Sequence, residues 1–175
     1  MDRPSARPSR APVYVILFGF AVAITLVLVA LRGFSAPAPT IERAGTPDAP
    51  RDVTVILRDY LFQPTPLGLV PTETVRFTIL NGGLEPHEFV LGDEAVQRAW
   101  AQADAAATPP IPFATAPPAS VAPDVGGLRV LVRSGEQATV EYRVPSAGEL
   151  QLVCHLPGHV EQGMIGRIEW RRVGE

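Results

Sequence analysis

The chain has no lysine, one cysteine, three histidines and two methionines, one of them the initiator. A single cysteine excludes an internal disulfide, so neither stability nor an argument for export can rest on crosslinks. All fifteen basic residues are arginine, a bias that points to coding more than to function. They do not gather into a basic field. Residues 51–175 carry 10 Arg against 15 Asp and Glu, a net charge of −5. An acidic domain speaks against nucleic-acid binding and suits a basic partner, or solubility alone. Met-rich and His-rich tracts, the usual furniture of open metal stores, are also missing.

What remains is concentrated. The run Cys154-His155-Leu156-Pro157-Gly158-His159-Val160-Glu161-Gln162-Gly163-Met164 holds the only Cys, two of the three His and the only internal Met. Thiolate, imidazole and thioether form the soft donor set that selects copper. The spacing Cys-x4-His-x4-Met puts a donor at each end and at the middle of one tight loop. Pro157 and Gly158 supply its turn, Pro by fixing φ and Gly by permitting close backbone approach. The third histidine, His87, lies in Glu85-Pro86-His87-Glu88-Phe89-Val90-Leu91, which reads as the start of a strand.

Taken in order, residues 1–12 are a Pro-containing tail with Arg3, Arg7 and Arg10. Residues 13–31 are nineteen uncharged, mostly apolar residues, enough for a helix of roughly 28 Å, close to a bilayer core. The run exceeds a usual signal-peptide core and leads into Pro37, a poor cleavage context, so a retained anchor is expected. The arginine excess before it puts the N-terminus in the cytoplasm and the rest outside. Residues 32–50, with Pro37, Pro39, Pro47 and Pro50, read as an extended tether.

From residue 51 the period becomes two. Val53, Val55 and Leu57 alternate with Thr54, Ile56 and Arg58, and Val75, Phe77 and Ile79 with Arg76 and Thr78. Ala138, Val140, Tyr142 and Val144 behave alike, and further strands are expected at 87–91, 128–132, 149–155 and 164–171. Seven or so short strands with Gly/Pro punctuation predict an all-β Greek-key β-sandwich over 51–175. The interruption at 93–127 predicts a short helix capped by Asp93, with Val96, Trp100 and Ala103 as its packing stripe, then a Pro-rich loop. Alternation puts Cys154 on a face with Leu150 and Leu152, His87 with Phe89 and Leu91, and Met164 with Gly166. His155, out of phase with Cys154, is expected to point away.

Asn81-Gly82-Gly83-Leu84-Glu85-Pro86-His87-Glu88-Phe89 together with Cys154 to Met164 resembles the cupredoxins, the plastocyanin and azurin family, and most of all their membrane-anchored or exported bacterial members. The resemblance covers roughly residues 51–175 and includes Asp59-Tyr60-Leu61-Phe62-Gln63-Pro64. It implies one mononuclear type 1 copper, with Cys154, His87 and His159 in a near-trigonal plane and Met164 as a weak axial ligand. It also implies an N–H from Glu88 to the Cys154 sulfur, with a second donor open to Leu156. Asn81 would either tie its loop to the ligand loop or serve as an ordinary turn residue. Many family members carry Asn directly after the strand His, where this chain has Glu88.

The function implied is a one-electron carrier, working between redox protein partners in the periplasm or at the outer cell surface. The expected exposed edge is His159, collared by Leu84, Pro86, Leu156, Pro157 and Val160 for docking. A copper-resistance protein that sequesters or hands over copper is the alternative. An enzyme is not expected: three His cannot build a trinuclear cluster, and one Cys cannot build a binuclear copper site. If the 13–31 run is an anchor, the full-length chain will stay in the membrane fraction through a carbonate wash. A soluble mature form beginning near residue 36 would mark a cleaved signal instead.

Overall fold

Why the strands hold the positions they do is clearest in the first sheet. In the computed structural model, which describes residues 17–25, 40–107 and 119–175, β1 (Arg51–Arg58) buries Val55 and Leu57 on one face. It runs parallel to β4 (Thr74–Asn81), Val53 opposite Phe77 and Val55 opposite Ile79. β2 (Leu61–Gln63) turns back on β1, and β7 (Gln137–Arg143) closes the far side of β4, both antiparallel. The sheet order is β2-β1-β4-β7.

The second sheet has the order β6-β5-β8-β9, all antiparallel, from β5 (His87–Gly92), β6 (Leu128–Val132), β8 (Gln151–Val153) and β9 (Ile165–Gly166). A further pair joins β3 (Leu67–Leu69) to β10 (Ile168–Trp170) in parallel. Inward residues of both large sheets form one core, including Leu57, Phe77 and Ile79 from one and Phe89, Leu91 and Leu152 from the other. The Phe77 and Phe89 rings lie 5.2 Å apart between them. This is the β-sandwich that the alternation predicts, with a short helix added.

β5 breaks the half-buried rule, since all six of its residues are buried. Its outer face is covered by α1 (Glu94–Ala107), whose first turn is capped by Asp93 Oδ1 accepting the Val96 N–H at 3.0 Å. The helix does not pack through a purely apolar stripe. Val96 is buried, but so are Gln97 and Asp104, while Trp100 and Ala103 are only half-buried. The Gln97 side-chain amide donates to the carbonyls of Val90 (3.1 Å) and Gln151 (2.9 Å), so it straddles β5 and β8.

Three expectations change. The strand expected at 164–171 is two strands in different sheets, because after Gly166 the chain leaves β8, and Leu67 N–H meets the Arg167 carbonyl at 2.8 Å. The strand at 149–155 shortens to Gln151–Val153. And β2 and β3 were not anticipated, each being three residues within a Pro-punctuated stretch, too short to show a period.

Residues 40–50, expected in the tether, belong to the compact unit formed by residues 40–175. Ile41 is buried, its N–H donates to Glu175 O at 3.2 Å and its carbonyl accepts the Gly174 N–H at 2.9 Å. The tail 1–12, most of the 13–31 span, residues 32–39 and residues 108–118 of the Pro-rich loop lie outside the described residues. Residues 17–25 are helical, and no helix among the described residues is long and apolar enough to cross a membrane.

Residues 40–50 are held through a carboxylate. Glu73, 1 % exposed, accepts Arg51 Nη2 at 2.6 Å, Arg51 Nε at 2.7 Å, the Val70 N–H at 2.8 Å and the Gly45 N–H at 3.4 Å. A bidentate guanidinium and two amides satisfy a charge that burial would otherwise penalise heavily. Glu73→Ala leaves those donors unmatched and is expected to cost about 3 kcal/mol. Urea unfolding of the metal-free protein measures it; a loss under about 1 kcal/mol would mean the pair behaves as a surface salt bridge.

Candidate metal centre

Two adjacent strands deliver two of the donors. β5 begins at His87, and Cys154 follows directly on the end of β8. Val90 pairs with Val153 and Leu91 with Leu152, so continuing the register brings Phe89 beside Cys154 and His87 to the same end. There the ladder ends on sulfur: the Glu88 N–H donates to Cys154 Sγ at 3.3 Å. The Leu156 N–H reaches the same sulfur.

The loop from 154 to 164 supplies the third donor and is closed on itself. Leu156 O accepts the His159 N–H (3.1 Å), His159 O accepts the Met164 N–H (2.9 Å), and Met164 O accepts the Cys154 N–H (3.3 Å). Gly158 and Gly163 turn it with φ of 86° and 92°, values strained for any residue with a Cβ. Met164, expected as the axial ligand, is fully buried at the loop's end.

His87, Cys154 and His159 thus bring one ligand atom each to within 4.8 Å of one another, all three residues buried. The two Nδ1 atoms lie 3.2 Å apart, and His159 Nδ1 is 3.3 Å from Sγ. The outer nitrogens are held as well. His87 Nε2 is 2.7 Å from Asp59 Oδ1, and His159 Nε2 is 3.2 Å from Glu85 Oε2. An ionised carboxylate only accepts, so both imidazoles carry a proton on Nε2, and in the neutral ring Nδ1 is the nitrogen that faces inward with its lone pair. Two inward ring nitrogens and a sulfur converging in a buried site fit a soft cation, and the donor set fits copper.

The electrostatics agree. Burial pushes the Cys154 thiol up to about 11, opposed by the N–H groups of Glu88 and Leu156. Burial, then the neighbouring His87, lowers the pKa of His159, which keeps its ring neutral. The Leu84 N–H, against some burial and aided by His87, holds the Asp59 carboxyl below its usual value. Metal binding therefore takes a proton from the sulfur.

His159 departs from the exposed edge expected of it, being only 5 % exposed. Glu85 and Tyr60 stand over it, the Tyr60 ring 4.9 Å from its ring centroid and the Tyr60 hydroxyl donating to Glu85 Oε1 at 3.2 Å. An imidazole N–H so enclosed must find an acceptor, and Glu85 is that acceptor. Around it Leu84, Pro86, Pro157 and Val160 are exposed and Leu156 is half-buried. Asn81 also departs from one of its two readings. Its amide donates to Glu85 O (2.8 Å) and Val132 O (2.9 Å), and its Oδ1 accepts the Gly83 N–H (2.9 Å). It binds its own loop to β6 and does not reach the 154–164 loop.

The residue after each strand-borne donor turns to the other face, beneath α1. The buried Glu88 carboxylate pairs with Arg129, which also donates to Asp104 Oδ1 at 3.1 Å and lies 4.5 Å over the Trp100 ring. Burial outweighs Arg129 and raises the Glu88 pKa to about 7. His155 points away from the donors, as expected, and its Nε2 meets Gln97 Oε1 at 2.8 Å. Asp59, Tyr60, Glu85, Gln97 and Asp104 are the residues that sequence reasoning missed. The faint signal was position, Glu85 standing two residues before His87 and Asp59-Tyr60 opening a stretch that matched the family.

No protein-family model matches the chain. It is similar to two curated proteins called copper-resistant cuproprotein CopI. With that of Rubrivivax gelatinosus it shares 36 % identity over 121 residues, 69 % of this chain and 66 % of the relative. With that of Pseudomonas aeruginosa it shares 29 % over 154 residues, 78 % of this chain and 82 % of the relative. The chain thus spans just under two thirds of the first relative's length. Among solved structures, auracyanin B superimposes with a TM-score of 0.53 at 26 % identity, covering 78 % of this chain and all of that one. Auracyanin from Roseiflexus castenholzii gives 0.54 at 18 % identity over 69 % of this chain and 97 % of that one, which speaks to the fold.

A copper-loaded sample should bind one ion and show an intense thiolate-to-copper band that Cys154→Ser abolishes. In the metal-free protein the raised thiol pKa cuts the thiolate fraction about 100-fold, so alkylation of Cys154 at neutral pH will lag that of the unfolded chain by at least that factor. Equal rates would place the sulfur in solvent. With its donor triad, its sandwich and its likeness to auracyanin B, this chain belongs to the cupredoxins, the blue copper proteins.

Proposed function

We propose that this protein holds copper for resistance, sequestering the ion in a closed type 1 site on the outer side of the cytoplasmic membrane. The observation that carries the reading is enclosure: the inner nitrogens and sulfur are buried, and both outer nitrogens are covered by carboxylates. Its similarity to proteins named for copper resistance supports the same reading. Copper supplies a single-electron couple between its two common oxidation states when bound. His87, Cys154 and His159 would hold it, with Met164 as a further donor, while the N–H groups of Glu88 and Leu156 stabilise the sulfur as thiolate. The 154–164 loop keeps water out and fixes the donors before metal arrives. The apolar run 13–31, with arginines ahead of it, serves as the membrane anchor.

One observation favours a second reading, the one-electron carrier. Donors already converged to 3.2–3.3 Å need little rearrangement when the charge on the metal changes, and auracyanin B shares the fold. Leu84, Pro86, Pro157 and Val160 would then be the docking surface for redox partners. Two rates separate the readings. Sequestration expects slow copper loss to a competing chelator and sluggish self-exchange between oxidised and reduced protein. Fast self-exchange, slowed when Leu84→Asp puts a charge in the collar, would establish the carrier and remove the sequestration role.

A further inference from the structure

The two carboxylates behind the histidines form one interlocked device. Asp59 follows directly on β1, and Glu85 lies in the loop that leads into β5. Asp59 accepts from His87 Nε2 and also from the Leu84 N–H at 2.9 Å, so it grips the loop that carries Glu85. Glu85 accepts from His159 Nε2 with one oxygen and from the Tyr60 hydroxyl with the other, so it grips the loop that carries Asp59. Gly83 lets the two loops come together. A Cβ there would strike the Asp59 carboxylate and stand 2.8 Å from His87 Nε2. Among the described residues neither carboxylate meets an arginine, so their charge is directed at the imidazoles and at whatever the imidazoles bind.

We propose that Asp59 and Glu85 are positioning residues that bias this site toward Cu(II) over Cu(I). The proposal rests on copper binding by His87, Cys154 and His159. Each carboxylate does two things through its imidazole. It locks the ring with Nδ1 facing inward, and it makes that nitrogen a stronger donor by drawing on the Nε2 proton. Each also adds a negative charge. Thiolate and two carboxylates sum to −3, which leaves −1 with a divalent ion and −2 with a monovalent one. The doubly charged ion gains more from the same field. The two residues do not contribute equally. The Asp59 side chain is 27 % exposed and that of Glu85 51 %, so solvent screens Glu85 more and Asp59 carries the larger share.

Isosteric neutralisation tests this. Asp59→Asn keeps the shape and an acceptor for the Leu84 N–H while removing the charge. It is expected to weaken Cu(II) about 10-fold, the low end for loss of such a partner, and Cu(I) less than about 3-fold. Glu85→Gln, on a half-exposed loop where folding is not at risk, should change the same ratio by about 3-fold. The readouts are chelator competition in each oxidation state and voltammetry of the loaded protein, where the roughly 3- to 10-fold change in ratio expected for Asp59→Asn appears as a rise of about 30–59 mV. Nitrogen NMR of the metal-free protein should find both rings protonated at Nε2. Equal weakening of the two oxidation states, or an unmoved potential in both variants, would overturn the proposal and leave the carboxylates as packing alone. Absence of a thiolate-to-copper band in the unmutated protein would instead overturn the copper reading beneath it.

Discussion

The antiparallel pairing of β5 with β8 is the constraint on which the metal centre depends. It sets Val90 against Val153 and Leu91 against Leu152, and so decides how far apart the two strands can hold a histidine and a cysteine. Past Val153 the ladder runs out of carbonyls and the Glu88 N–H turns to sulfur instead. A donor that would otherwise be orphaned inside the protein is satisfied by the sulfur, and the same bond would stabilise the thiolate that metal binding creates. Structure and chemistry share one hydrogen bond, which is why neither can be altered alone.

The inserted helix belongs to that same unit. Side chains alternate along a strand, so a strand that aims His87 at the core aims Glu88 the opposite way, and Cys154 and His155 divide likewise. In an open sandwich those second residues would meet water. Here α1 covers them, and it does so with polar groups: Gln97 for His155 and the strand carbonyls, Asp104 through Arg129 for Glu88. A greasy helix would have taken Gln97 from His155 and Asp104 from the Arg129 that pairs with Glu88. The polar stripe of α1 is therefore matched to two residues fixed by the donors' own register.

How much of this the sequence disclosed follows from rarity and period. The donors stood out because soft and imidazole side chains are so few, and the long strands because period-two patterns survive over seven or eight residues. β2 and β3 are too short to carry a pattern. Asp59 and Glu85 were invisible because carboxylates beside turns are ordinarily solvated, and nothing local marks one that has been folded against an imidazole. The burial of His159 was missed for the same reason: an apolar collar was legible, but the acid and tyrosine standing within it come from loops 25 residues apart. Buried Gln97 and Asp104 contradict a purely apolar helix stripe, and such conflicts are resolved only in three dimensions.

The pairing of Ile41 with residues 174 and 175 has a mechanical meaning. Chain entering at residue 40 is knotted at once to the last residues of the same unit, and Glu73 fastens Gly45 a few residues later. Tension arriving along the upstream segment would be borne there, as shear across those bonds and the Glu73–Arg51 bridge. The strands that carry His87 and Cys154 lie downstream of that clamp, so such load would reach them only through it. A fold closed at its own ends in this fashion can be tugged without disturbing what it grips.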